Sequence, residues 1–149
     1  MDDLQSERRY EPWRAYCQSK LANLLFAFEL ARRAEAAGRD LVSVAAHPGF
    51  AATELQGKTG IAASNAFAKA GAEFFNRVFG QSAAQGALPQ LYAATAPDVR
   101  AWEYFGPDQL FHQRGHPTRV SPPRAAVDVD TAQRLWTVSE ELTGVGYEL

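Results

Sequence analysis

Leu21, Leu24, Leu25, Phe28 and Ala31 recur at the i, i+3, i+4, i+7 and i+10 positions of a helix. This is the clearest periodicity in the chain, and it predicts one long amphipathic helix. A polar stretch over residues 1–12 closes on Pro12, which favours a loop leading into that helix at Trp13 or Arg14. Gly38 is placed to end it after Ala36 and Ala37. Leu41 to Ala46 then reads LVSVAA, apolar on both faces as a strand buried in a parallel sheet must be, and His47-Pro48-Gly49 stops it. From Phe50 to Gly80 the pattern weakens, because Gly57, Gly60 and Gly71 interrupt an alanine- and phenylalanine-rich stretch with room for one or two short helices. Ser82 is positioned to cap a helix running through Thr95, with Leu88, Leu91 and Tyr92 on its apolar side. Gly86 weakens that helix, Pro89 removes one of its donors, and Ala96-Pro97 closes it. Glu103-Tyr104-Phe105 reads as a short strand ended by Gly106-Pro107, and residues 112–124 read as a loop rich in proline and arginine. Asp130 is the expected cap of a last helix whose Leu135, Trp136, Ser139 and Leu142 face inward, with Gly144 ending it.

The succession helix, strand, helices, strand, helix is α/β, yet two strands cannot make the buried parallel sheet that Leu41 to Ala46 requires. The expected architecture is therefore part of a sheet whose other strands lie elsewhere, with residues 41–46 as a central parallel strand. Composition agrees with a folded protein: 149 residues, 46% hydrophobic and 21% charged, suit about one domain of roughly 100–200 residues and exclude disordered and fibrous classes. A formal charge of -2 without a basic stripe excludes a nucleic-acid surface held by phosphate neutralisation. The single Cys17 closes no intrachain disulfide, and MDDLQSERRYEP lacks the basic start and apolar run of a signal peptide, so a reducing, cytoplasmic setting is expected. The longest uncharged stretch near the start, LANLLFAF, is far short of the roughly 20 residues that span a bilayer.

Chemistry concentrates at the start of the long helix. Tyr16 and Lys20 lie four residues apart and so project from one face about a turn apart. A phenol exchanges a proton with a substrate oxygen more readily when a fixed ammonium lies within reach, because positive charge favours the phenolate. The spacing by itself is modest evidence, since about 0.1 such pairs is expected by chance in a chain with this many tyrosines and lysines, and a solvated helix start would show it equally.

The order of elements around the pair adds more. Tyr16-Cys17-Gln18-Ser19-Lys20 opens a long helix, an apolar strand follows, and Pro48-Gly49-Phe50-Ala51-Ala52-Thr53 comes directly after the strand. This succession resembles the second half of a short-chain dehydrogenase/reductase, a Tyr-x-x-x-Lys helix followed by a strand ending in a Pro-Gly turn. YEPWRAYCQSKLANLLF, HPGFAATEL, QGALPQLYAA, YFGPDQ and RLWTVSEELTG resemble the retinol-dehydrogenase-like branch, so the likeness spans nearly the whole chain. It implies the C-terminal portion of a Rossmann-like doubly wound parallel sheet, with residues 1–149 as a partial domain: catalytic helix, strand with Pro-Gly turn, substrate loop and C-terminal helices. It implies Tyr16 as the proton donor or acceptor, and Lys20 as the group that eases its ionisation and hydrogen-bonds the nicotinamide ribose. Pro48 and Gly49 would bring the chain close to an NAD or NADP cofactor at the carboxyl end of the strand. The Phe50 backbone and the Thr53 hydroxyl would meet its carboxamide or phosphate side, while Thr53 also suits the N-cap of a following helix.

Three expected parts are absent. No glycine-rich turn of a dinucleotide-binding half precedes Tyr16, nor does an Asn-Asn-Ala-Gly segment. The family's catalytic serine precedes its tyrosine, and here Ser6, in a polar loop, is the one serine that does; Ser19 matches the family's helical serine instead. His47, His112 and His116 show no metal-ligand spacing, so no metal is expected, and they read as a strand-end residue and two loop-surface residues. Cys17 reads as a small, partly buried helix residue, and Trp13, Trp102 and Trp136 as packing residues, with Trp13 able to edge the active site. The leading expectation is an NAD(P)-dependent oxidoreductase acting on a small lipophilic alcohol or carbonyl, the apolar stretch from Gln56 to Gly80 covering the substrate. These 149 residues alone are expected to be inactive, with a homo-oligomer or a complementing amino-terminal half as partner. The alternative is a non-catalytic fragment or partner-binding protein; a free-standing helical module is opposed by the apolar strand.

Overall fold

The computed structural model describes residues 3–49 and 81–149, which fall into two compact units. The first comprises Met1–Val44, Arg100–Glu103 and Ser121–Leu149. Its long helix α1 spans Pro12–Ala36, with Pro12 in the first turn, where a missing N–H costs nothing. Gly38, at φ +64°, ends it, and the Arg39 N–H returns 2.9 Å to the Ala34 carbonyl. A short 3-10 turn at Arg124–Val127 leads into a second helix of this unit, Val129–Thr143. The two helices meet through Leu25, Ala132 and Leu135, with Leu4, Leu21 and Ala22 packed against them. Phe26 stacks on Trp136 at 5.1 Å, and the Tyr147 ring lies 5.5 Å from Trp136. Full burial of Leu25 and Leu135 stabilises this contact by about 1.5–3 kcal/mol each.

A cluster of charges reinforces the helix pair. Glu29, 2% exposed, accepts hydrogen bonds from Arg32 at 2.6 and 2.7 Å and from Arg33 at 2.7 Å. Burial pushes the Glu29 carboxyl up, but the two guanidinium groups outweigh it and hold the group below the usual carboxylate range. The Arg33 guanidinium lies 4.5 Å from the Trp136 ring centroid, so the cluster reaches across to the second helix.

The expected strand from Leu41 to Ala46 is only partly formed. Leu41 and Val42 are exposed, and Ser43 turns inward to donate from its hydroxyl to the Ala27 carbonyl at 2.8 Å. The Ser43 carbonyl accepts from the Trp102 N–H at 3.1 Å. These residues thus tie to a helix and a turn instead of a ladder, and the strand shortens to β1, Ala45–Ala46.

The second unit comprises Ala45–Val99 and Tyr104–Val120. Its described sheet has the order β1-β2-β3, with β2 at Tyr104–Gln109 and β3 at Arg114–Arg119. β1 pairs parallel with β2, Ala45 against Tyr104 and Ala46 against Phe105, so it is parallel as expected but is an end strand of the described sheet, with its neighbour in this chain, where a central strand with neighbours elsewhere was expected. β3 corrects the expected loop over residues 112–124: it runs antiparallel to β2. Its Pro117 sits opposite Pro107, so the two residues without an N–H face one another where no ladder donor is lost twice. Antiparallel edge strands are common on otherwise parallel α/β sheets.

Helix α2, Ala83–Thr95, packs on all three strands. Ser82 accepts from the Gln85 N–H at 3.2 Å and the Gln85 side chain returns to the Ser82 N–H, a complete capping box. Its buried positions are Gly86 and Pro89, and the Tyr92 ring packs 5.4 Å from Phe105 of β2, whereas Leu91 is exposed. With the Val129–Thr143 helix numbered α3, its cap is Asp128, two residues before the expected Asp130, because the Asp128 carboxylate accepts from the Thr131 N–H at 2.7 Å. Leu135 and Trp136 are buried as expected, and Leu142 is exposed. The fold is α/β and partial Rossmann-like.

Candidate active site

Tyr16 and Lys20 stand on the first turns of α1. The helical spacing brings them to one face, and the Lys20 ammonium lies 5.3 Å from the centre of the Tyr16 ring. Tyr16 is 43% exposed, and Trp13 stacks beside it at 5.7 Å. No carboxylate among the described residues forms an ion pair with Lys20. A phenol hydroxyl and an ammonium, both open to the surroundings, form a donor set suited to a polyhydroxyl ligand such as a ribose.

Ser19 donates to the Tyr16 carbonyl at 2.8 Å, so its hydroxyl serves the helix. Ser6 sits in a tight turn at φ 55°, its N–H bonded to the Asp3 carbonyl at 3.1 Å, and the Asp3 carboxylate caps the same turn. Gln18 ties the turn to α1 through the Leu4 carbonyl at 3.1 Å. Cys17 is exposed, where a partly buried position was expected. Among the described residues no three His, Cys, Asp or Glu side chains are grouped to hold a metal ion.

Pro48 and Gly49 belong to the second unit. Gly49 has φ +68°, and a Cβ there would collide with the Gln113 carbonyl and the Pro107 ring, so both conformation and packing demand glycine. Its N–H donates to His47 Nδ1 at 3.2 Å. The His47 ring packs 5.1 Å from Tyr104, and the His47 N–H joins the sheet through the Phe105 carbonyl at 2.9 Å. Burial, and after it the charge of His112, hold the imidazole below its ordinary pKa; burial pushes the Tyr104 phenol up. Phe50 and Thr53, and the stretch from Gln56 to Gly80, lie outside the described residues.

Gln81 was not singled out by any pattern. It is 4% exposed, its amide nitrogen donates to the Pro48 carbonyl, and its Oε1 accepts from the Gly115 N–H at 3.2 Å. A lone glutamine ahead of a serine cap carries no sequence signal of that kind.

Retinol dehydrogenase 12 of Homo sapiens is 37% identical over 151 residues, spanning 98% of this chain and 41% of that protein. Retinol dehydrogenase 13 of Homo sapiens is 38% identical over 149 residues, with 97% and 41% covered. The chain belongs to the retinol-dehydrogenase branch of the short-chain dehydrogenases/reductases. Polyprenol dehydrogenase of Mus musculus is 34% identical over 146 residues, with 98% of the chain and 40% of that protein covered. A solved structure of an uncharacterised protein from Mycobacterium paratuberculosis superposes with a TM-score of 0.72 at 39% identity, covering 99% of this chain and 46% of that one. No family profile matches. The chain thus spans about 40% of the length of the curated retinol and polyprenol dehydrogenases it matches. Among the described residues no helix is long and apolar enough to cross a membrane.

Proposed function

We propose that this chain carries the catalytic helix of an NAD(P)-dependent oxidoreductase interconverting a lipophilic alcohol and its carbonyl compound. The observation that carries the reading is the exposed Tyr16–Lys20 pair on one face of α1, with the ammonium 5.3 Å from the ring, in a retinol-dehydrogenase-branch chain. Retinol and polyprenol, named in the relatives, are long apolar alcohols, which supports the substrate class.

In the oxidising direction the Tyr16 oxygen accepts the hydroxyl proton of the alcohol; in the reducing direction it returns a proton to the carbonyl oxygen. When bound, the nicotinamide supplies the hydride acceptor or donor. The part of Lys20 in this reading is to hold the ribose hydroxyls through its N–H groups. The Pro48–Gly49 turn, with the Phe50 backbone and the Thr53 hydroxyl, borders the nicotinamide side. The glycine-rich turn that would grip the pyrophosphate at a helix N-terminus is supplied from outside these 149 residues, so the chain by itself does not turn over. The alternative reading is a non-catalytic partner-binding protein.

The two separate in the assembled enzyme, this chain together with its dinucleotide-binding half, with the chain alone as the inactive control. Tyr16→Phe should lower kcat by about 10²–10⁴-fold with cofactor affinity largely kept. Lys20→Met should lower turnover and cofactor affinity together. Near-normal turnover of Tyr16→Phe would remove the chemical centre of the reading.

A further inference from the structure

Fixing a peptide plane takes a grip on its carbonyl oxygen or its N–H. The plane between Pro48 and Gly49 is gripped at both: the Gly49 N–H by His47 Nδ1 at 3.2 Å, and the Pro48 carbonyl by the Gln81 amide nitrogen. Gln81 is itself held. Its Oε1 accepts from Gly115 of β3 at 3.2 Å, and its chain runs directly into the capping box of α2, a helix packed on the sheet. One side chain, 4% exposed, therefore bridges the turn after β1 and the β2–β3 hairpin. A buried amide with both ends engaged is costly to replace, because each loss leaves a backbone partner unsatisfied.

The opposite side of the turn is closed as well. Gly49 at φ +68° leaves no space toward Gln113 and Pro107, so the turn cannot relax in that direction. Without Gln81 only the His47 Nδ1 contact to the Gly49 N–H would oppose rotation of the plane about the Pro48 Cα–C bond. The direction in which the chain leaves toward Phe50 would then change.

We infer that Gln81 is a positioning residue for the cofactor: it sets the Pro48–Gly49 peptide plane and hence the backbone groups the turn offers to the nicotinamide end of NAD(P). This rests on the reading of the turn given under Proposed function. Gln81 acts through the turn and not on the reacting atoms.

Two variants test it. Gln81→Met keeps the length of the side chain and removes both hydrogen bonds; Gln81→Glu keeps the acceptor for Gly115 and loses the donor to Pro48. On the chain itself, amide NMR with hydrogen exchange reads the turn without any cofactor. Gln81→Met should shift the Gly49 and Gly115 resonances and speed exchange at Gly115, whereas Gln81→Glu should shift Gly49 and leave Gly115 protected. Unshifted Gly49 in both variants overturns the inference.

In the assembled enzyme, titration with the reduced cofactor is compared with titration by the matching ADP-ribose, which lacks the nicotinamide. Both variants should lose about five- to thirtyfold in affinity for the reduced cofactor and keep wild-type affinity for ADP-ribose. Equal loss for both ligands marks general damage to the fold and overturns the positioning role, as does an unchanged ratio. If wild-type protein binds the two ligands alike and leaves the nicotinamide emission unaltered, the turn is not a nicotinamide site, and the proposed function fails at that point together with this inference. Altered Gly49 with an intact wild-type preference and unchanged variant ratios sinks the inference alone.

Discussion

Glu29→Gln is the most informative single change to the helix that bears Tyr16 and Lys20. The glutamine keeps the shape and one acceptor oxygen but removes the charge that three contacts of 2.6–2.7 Å depend on. A hydrogen bond to a charged group contributes about 1.5–3 kcal/mol, so three would give an upper bound well above the true loss. The arginine side chains remain about a third exposed, at 34% and 33%, and can turn to water once released. Removing the carboxylate also recovers part of the cost of burying it, since Glu29 itself is 1% exposed at its side chain. The net expectation is a loss of about 2 kcal/mol, or roughly 4–8 °C in midpoint for a chain of this size. Urea unfolding followed by tryptophan fluorescence is a suitable assay, because Arg33 lies over Trp136 and its release alters the same signal. The pH dependence gives a second signature. The Glu29 carboxyl titrates below 4.5 in the folded state, so its contribution is fully present above about pH 4.5 and is lost as pH falls through the depressed folded value. The difference between wild type and variant should therefore shrink in strong acid. A midpoint change below about 0.5 kcal/mol at pH 7 would refute the account, placing this cluster with ordinary surface pairs.

Two further changes address other parts of the fold. His47 is held below its ordinary pKa of 6.5 by burial and by His112, so stability should be full above about pH 6.5 and decline as pH falls below it, because the unfolded chain takes up the proton first. Urea midpoints at pH 7.5 and 5.5 check this; His47→Asn, which retains an acceptor for Gly49, should be flatter between them, and equal slopes would contradict it. Asp128→Ala removes the cap of α3 and should lower the thermal midpoint by about 2–4 °C, whereas Asp130→Ala should leave it nearly unchanged. The opposite order would restore Asp130 as the cap.

Where local chemistry decides an element, the sequence was legible. The apolar period of α1 and its Gly38 stop are both present, as are the Ser82 cap and the Gly144 end of α3. Elements that depend on distant partners were harder to read. β3 contains Gly115 and Pro117, residues that speak for a loop, and only the facing Pro107 explains how a proline is tolerated there. Leu41 and Val42 erred the other way: their apolar character argued for a strand, but Ser43 beside them bonds through its hydroxyl to Ala27 and through its carbonyl to Trp102 instead of a ladder. Asp128 and Asp130 are equally good caps by composition, and the choice turned on which carboxylate reaches the Thr131 N–H.

The candidate site divides along the same line. Tyr16 and Lys20 are legible because a four-residue spacing on a helix converts directly into a shared face, and no tertiary contact is needed to bring the pair together. Pro48 and Gly49 are legible as a turn, yet nothing in their own sequence says what fixes its shape. That work falls to Gln81, more than thirty residues on, and to Gln113 and Pro107 of the hairpin, whose backbone and ring close the space beside Gly49. The helix-borne pair is thus encoded by spacing, whereas the Pro48–Gly49 turn is encoded by contacts that spacing does not carry. A substitution at Gln113 or Gly115 can therefore disturb the turn while leaving Tyr16, Lys20 and every quoted motif of the branch unchanged.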